Sequence, residues 1–245
     1  MTYETIKFDI RDDGIATMIL NRPERMNCFN QKMFAEWQDV TAKIAYDDSI
    51  RVLIITGEGR AFSSGVDLSI LGSEKSPPAF RYYYRQNHQG FDNLETVEVP
   101  VIAAINGICF GGGVELALSS DIRIAAETAK LGLTFARLGI LPGLGSTHLL
   151  PRLVGRAKAL KLVLTARVIL APEAAEIGLV NRVVPAEELL EEARSMAQQM
   201  AESDPAVLAA AKRAIHFGES ASMAEAMANE QRASAELRKT RSKGS

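Results

Sequence analysis

The 245-residue chain is poor in the side chains that bind metals or crosslink: two cysteines, three histidines and one tryptophan. Cys28 lies in a polar turn and Cys109 in an apolar stretch, so the pair makes neither a disulfide framework nor a metal site. A reducing, cytoplasmic setting is expected. The first residues, MTYETIKFDIRDD, carry charge and lack the apolar core of a secretory signal, and the final TRSKGS is not a peroxisomal address. Charge of one sign is missing as well: 28 Lys and Arg face 30 Asp and Glu. That balance argues against nucleic acid or an anionic membrane as the main partner. Long apolar runs are absent except at residues 99–114, which carry no charge but fall short of the roughly 20 residues of a bilayer span. At this length the chain can bury a substantial core.

That uncharged stretch is the most informative part of the sequence. Within VPVIAAINGICFGGGVE (residues 99–115), the run Val101, Ile102, Ala103, Ala104, Ile105 reads as a strand buried on both faces. Asn106-Gly107 marks a turn, and Gly111-Gly112-Gly113 lets backbone N–H groups approach a ligand closely. Glu115 then falls about one turn into an apolar helix. A carboxylate among apolar neighbours, beside free N–H groups at a helix start, fits a site for developing negative charge.

Along the chain, residues 3–10 and 14–20 read as a hairpin turning at Asp12-Asp13-Gly14. Asn30 is placed to cap a helix carrying Phe34, Trp37, Val40 and Ile44 on one face. VLIIT (52–56) is a short buried strand, residues 57–65 a Gly/Ser-rich turn, and residues 66–71 a helical turn. SEKSPP (73–78) reads as a loop, and residues 79–97 as a helix. DIRIAA (121–126) is a strand, and residues 131–147 are irregular and Gly-rich. Helices follow from about Ser146, over 156–165 and from Pro172, then a last short strand in VNRVV. From Pro185 onward the pattern is wholly helical, which predicts a core domain over residues 1–184 and a helical region over 185–245. Strand, glycine turn and helix recur at 52–71, 101–119 and 121–154. Such units leave their turns on one edge, so residues 63–66 and 110–113 are positioned to send N–H groups into one cleft. Two backbone donors on one oxygen make an oxyanion hole.

Four segments carry a resemblance: NRPERMN (21–27), GRAFSSGVDL (59–68), PVIAAINGICFGGGVELALSSDIRIAA (100–126) and LGILPGLGST (138–147). In this order they resemble the enoyl-CoA hydratase/isomerase (crotonase) family, and APEAAEIGLVNRVVP (171–185) fits more weakly. The resemblance implies an α/β fold, a spiral of ββα units followed by a helical trimerisation region, assembled as a homotrimer or a hexamer of paired trimers. It implies an acyl-CoA thioester substrate, with no cofactor beyond that coenzyme A and no metal. The N–H groups of Val66 and Gly112 match the family's oxyanion-hole positions, and Glu115 matches the first of its two acids. Carried over position by position, the substrate-binding residues are Arg22, Arg25, Met26, Ala61, Ser63, Ser64, Gly65, Asp67, Leu68, Gly111, Phe135, Leu141 and Pro142.

The chain departs from the pattern at its carboxylates. Phe135 occupies the place of the second hydratase acid, and Gly143 that of the acid which isomerases carry further on. General acid–base help is worth about 10²–10⁴ per group, so two-acid hydration is expected to suffer. A single base can still move a proton from one carbon to another. The expectation is an enzyme acting through a stabilised enolate, by double-bond isomerisation or hydration; the alternative is an acyl-CoA-binding homologue with little or no hydratase activity.

Other candidates have plainer readings. Ser63 and Ser64 do not sit in a G-x-S-x-G elbow, so a serine hydrolase is disfavoured. Asp67 is expected to anchor its turn, Asp121 to open a strand, and His148 and His216 to be structural. His88 lies in the predicted helix 79–97 and is read as solvated. Tyr82, Tyr83, Tyr84, Phe91 and Phe135 either shape an acyl pocket or belong to the core. Arg238, Lys239, Arg241 and Lys243 read as a frayed tail or as contacts to a coenzyme A phosphate across a subunit interface.

Overall fold

Alternating apolar residues on either side of Gly14 form the first hairpin. In the computed structural model, which describes residues 3–71, Leu94 and 97–243, β1 (Ile6–Ile10) pairs antiparallel with β2 (Ile15–Leu20). The loop predicted at 73–78 lies outside the described residues. So does the predicted helix 79–97 apart from buried Leu94 and Val97, and with it Tyr82, Tyr83, Tyr84, His88 and Phe91. Asn30 accepts the Met33 N–H at 2.9 Å and caps α1 (Gln31–Tyr46), which buries Phe34, Trp37, Val40 and Ile44.

From β3 onward each turn of the chain uses two strands. β3 (Val52–Gly57), β5 (Val101–Ile105) and β7 (Ile122–Ala126) run parallel beside one another in a six-stranded sheet, with β2 and β1 on one side and β10 (Arg182–Val184) on the other. Their partners β4 (Ala61–Ser63), β6 (Ile108–Phe110) and β8 (Lys130–Gly132) run parallel in a second sheet, closed by antiparallel β9 (Val168–Leu170). After β4 comes α2 (Leu68–Leu71), and after β6 comes α3 (Gly112–Leu118). After β8 comes a 3-10 turn (Thr134–Leu138) and then α4 (Ser146–Val154). Three successive ββα turns therefore bring their strand-to-helix junctions to one edge.

The small sheet corrects the reading of residues 57–65 as turn alone and of 131–147 as wholly irregular, and β9 is an additional strand. Each of its strands is three residues long, too short to show a period of two.

α5 (Arg156–Thr165) and α6 (Ala171–Glu176) complete this part. Beyond β10, α7 (Leu189–Ala201) packs on β2, β3, β5 and β7 through buried Leu189, Ala193 and Ala197, whose small side chains allow close approach. α8 (Pro205–Gly218) is fastened by Lys212, which donates to Val99 O at 3.1 Å and to Asp121 at 2.8 Å. Asp121 also accepts the Val101 N–H at 2.7 Å, tying the starts of two neighbouring strands together. α9 (Met223–Lys243) packs on α8, and its helical course replaces the frayed tail expected around Arg238 and Lys239. His148 and His216 lie exposed on α4 and α8. Among the described residues no helix is long and apolar enough to cross a membrane.

Candidate active site

Two strand-to-helix junctions meet backbone to backbone. Gly65 has φ +91°, and a Cβ there would lie 2.6 Å from the Gly112 nitrogen and 2.9 Å from Phe110 O. A Cβ on Gly113 would lie 2.2 Å from Ser63 O, so α3 can start this close to β4 only with glycine. Val66 forms a parallel bridge with Phe29: the Phe29 N–H donates to Gly65 O at 2.8 Å and the Asp67 N–H to Phe29 O at 2.9 Å. The intervening Val66 N–H has no partner among the described residues, nor has the Gly112 N–H at the first position of α3. Such unpaired N–H groups at adjoining junctions are donors available to a ligand.

Glu115 stands in the first turn of α3 and is only 2% exposed. Its Oε1 accepts the Gly143 N–H at 2.6 Å and lies 2.9 Å from Ser146 Oγ. Oε2 has no partner among the described residues. Burial pushes the carboxyl up to about 7, against the opposing pull of those two hydrogen bonds. A group near neutrality is suited to both accepting and returning a proton.

These groups border a cavity of about 440 Å³. Of the residues named from the sequence, it brings together Arg25, Met26, Ser64, Val66, Asp67, Leu68, Gly111, Gly112, Glu115, Phe135 and Leu141. Arg22, Ala61, Ser63, Gly65 and Pro142 stand behind this surface. Arg22 donates to Cys28 O at 2.6 Å and reaches Asp67 at 3.4 Å. Ala61 O receives the Asn27 amide at 2.7 Å. The fully buried Ser63 hydroxyl donates to Asn27 O at 2.8 Å, which leaves it a turn-holding group. Asp67 accepts from the Ser69 hydroxyl and N–H, Arg22 and Cys28, and these bonds hold its carboxyl down at about 2. Among the described residues no cluster of three His, Cys, Asp or Glu side chains could hold a metal.

Sequence reasoning missed Ser146, which contacts Glu115 from 31 residues away, and treated Gly143 only as an absent acid. It also missed Phe34, Leu138, Ile140 and Leu144, which add apolar surface to the cavity wall. Hydrophobicity marks those residues as core as readily as pocket. No local signal in the sequence identifies the Ser146 contact.

The two-sheet ββα spiral, the unpaired N–H groups of Val66 and Gly112 at adjoining junctions and the buried acid on the same cavity define a crotonase-fold protein. A sequence profile described as enoyl-CoA hydratase/isomerase matches residues 11–245, and the chain belongs to that family. It is 38% identical over 232 residues to a probable enoyl-CoA hydratase of Mycobacterium tuberculosis, covering 95% of this chain and 89% of that one. A 1,2-epoxyphenylacetyl-CoA isomerase of Escherichia coli is 38% identical over 215 residues, covering 85% and 80%. The crystal structure of an enoyl-CoA hydratase from Bacillus anthracis superposes with a TM-score of 0.90 at 37% identity, covering 95% and 90%. The family is thus enzymatic, and its relatives include both hydratases and an isomerase.

Proposed function

We propose that the chain binds an enoyl-CoA thioester and moves its double bond, with Glu115 as the single acid/base and the Val66 and Gly112 N–H groups as the oxyanion donors. One observation carries the choice of isomerisation. Glu115 is the one buried carboxyl lining the cavity without a cationic partner among the described residues, and Phe135 and Gly143 stand where the family resemblance places a second acid.

With a 3-enoyl-CoA, the Glu115 carboxylate takes a proton from the α carbon. The C–H pair moves into the bond between the carbonyl carbon and the α carbon, and the carbonyl π pair moves onto the thioester oxygen, giving a dienolate. The two N–H donors stabilise that oxygen; losing one such donor typically costs about 10²–10³ in rate. Glu115 then returns the proton to the γ carbon, giving the conjugated 2-enoyl-CoA. Adding water across the double bond calls for a second acid or base, and among the described residues the wall around Phe135, made by Thr134, Leu138, Ile140, Leu141 and Leu144, carries no carboxyl.

Arg25 at the cavity mouth and the 21–27 loop are assigned to the coenzyme A portion, which is the only coenzyme the reaction needs. A homotrimer or paired trimers in the cytoplasm complete the reading, supported by the exposed Leu160, Leu164, Ile215 and Phe217 on α5 and α8.

Incubation with crotonyl-CoA and a 3-enoyl-CoA in deuterated water tests the proposal. Isomerisation with label at the α or γ carbon is expected, and replacement of Glu115 by Gln abolishes it. Tight binding without exchange, unaffected by that replacement, would establish the acyl-CoA-binding alternative.

A further inference from the structure

Glu115 is not held by its own helix. The clamp on it comes from the four-residue turn 143–146, which precedes and opens α4. The central residues of that turn, Leu144 (φ +47°) and Gly145 (φ +72°), both have left-handed backbone. A leucine takes this conformation only where its surroundings enforce it. The turn closes through the Ser146 N–H, which donates to Gly143 O at 2.8 Å. This geometry brings two donors to one carboxylate oxygen: the Gly143 N–H at 2.6 Å and the Ser146 hydroxyl at 2.9 Å, both on Oε1.

The Ser146 hydroxyl has a second acceptor within reach, Gly143 O at 2.8 Å, but that carbonyl already receives the Ser146 N–H. A carbonyl oxygen can accept two hydrogen bonds, so charge makes the choice: with Glu115 ionised, the hydroxyl's single proton goes to Oε1, the stronger acceptor. Ser146 is 1% exposed, so no water competes for it. With Oε1 taking two donors, a proton on the carboxyl has only Oε2 to occupy.

We infer that Ser146 is a positioning residue: its hydroxyl fixes Oε1 of Glu115, so that Oε2 alone exchanges protons with the substrate. The inference rests on Glu115 being the acid/base. Among the described residues, the other titratable side chains on the cavity are Glu24, Arg25, Cys28 and Asp67. All four lie on other segments, and Asp67 is tied to Arg22 and Ser69.

The test follows isomerisation of a 3-enoyl-CoA across pH. Ser146→Ala removes one bond to the charged form of Glu115. It is expected to lower kcat about 10- to 100-fold, the span that corresponds to losing a hydrogen bond to a charged group, with KM little changed. The acid limb of kcat/KM should move upward by about one pH unit, because the carboxylate has lost a stabilising donor. Ser146→Thr keeps the hydroxyl and is expected to restore the limb to its original place. An acid limb that stays in place in the folded Ala variant overturns the inference, whatever the Thr variant does. Glu115→Gln separates the two levels of argument. If it retains turnover, the reading of Glu115 fails; if it is inactive while the Ser146→Ala limb is unmoved, only the role of Ser146 fails.

Discussion

The backbones of Gly65 and Gly112 are in contact, each inside the space that the other's side chain would need. A methyl group on Gly65 would lie 2.6 Å from the Gly112 nitrogen, and one on Gly112 would lie 3.3 Å from the Gly65 Cα. The junctions after β4 and β6 are held together by this approach, and with them the N–H groups of Val66 and Gly112.

Gly65→Ala should therefore disable the site without touching a polar group. The added methyl meets backbone that cannot rotate away, and φ +91° is strained for any L side chain. Turnover is expected to fall by about 10²–10³, the effect of losing one oxyanion donor, with a stability loss of about 1–3 kcal/mol. Steady-state kinetics alongside thermal melting checks both, and a variant of ordinary activity would contradict the contact.

Glu115 links the site to stability. Its carboxyl is raised from 4.5 to about 7 by burial, so between those values the folded chain holds a proton that the unfolded chain has released. Stability is then greatest at acid pH and falls as pH rises through the window, by about 3 kcal/mol in all. Glu115→Gln removes that dependence. Urea unfolding should find the variant close to the parent near pH 5 and more stable than it near pH 8. Parallel stability curves would show that Glu115 is not buried as described.

Asp67 carries the opposite sign. Its carboxyl is held at about 2 by Ser69, Arg22 and Cys28, so its contribution is complete above about pH 4 and is lost as pH falls toward 2. It organises the 67–69 turn and faces the 21–27 loop rather than the acid. Asp67→Ala should raise KM for acyl-CoA about 10-fold, leave kcat within a few-fold, and cost about 1–3 kcal/mol for the hydrogen bonds lost. A fall confined to kcat would place Asp67 in the chemistry.

The parts of this site that were legible in the sequence are those written in local pattern. The five-residue apolar run of β5, the glycines after it and an acid at a helix start announce themselves within 17 residues, and Asn30 marks the start of α1. The small sheet left no such trace, since its three-residue strands are set by pairing with one another rather than by their own periodicity. The Ser146 clamp was illegible for a different reason. It depends on left-handed backbone at Leu144, which no residue preference announces, and on a contact spanning 31 residues.

Phe135 offers the most direct control over reaction type. Its ring lies along the Gly111 turn, with Cε1 and Cζ at 3.7 Å from where a Gly111 Cβ would be, and it lines the same cavity as Glu115. Phe135→Glu puts a second carboxyl where the family resemblance places one. Two carboxyls sharing an apolar site titrate apart, one staying protonated while the other ionises, which is the pairing that water addition requires. Hydration of crotonyl-CoA should rise at least 10-fold relative to isomerisation of a 3-enoyl-CoA, toward the 10²–10⁴ that acid–base help provides. Part of the apolar wall is lost, so a lower melting temperature is expected too. Phe135→Gln separates polarity from proton transfer, because it is equally hydrophilic and has no proton to exchange. If Gln and Glu raise hydration alike, wetting of the cavity explains the change; if Glu alone does, the apolar ring at 135 is what keeps this chain from the two-acid reaction.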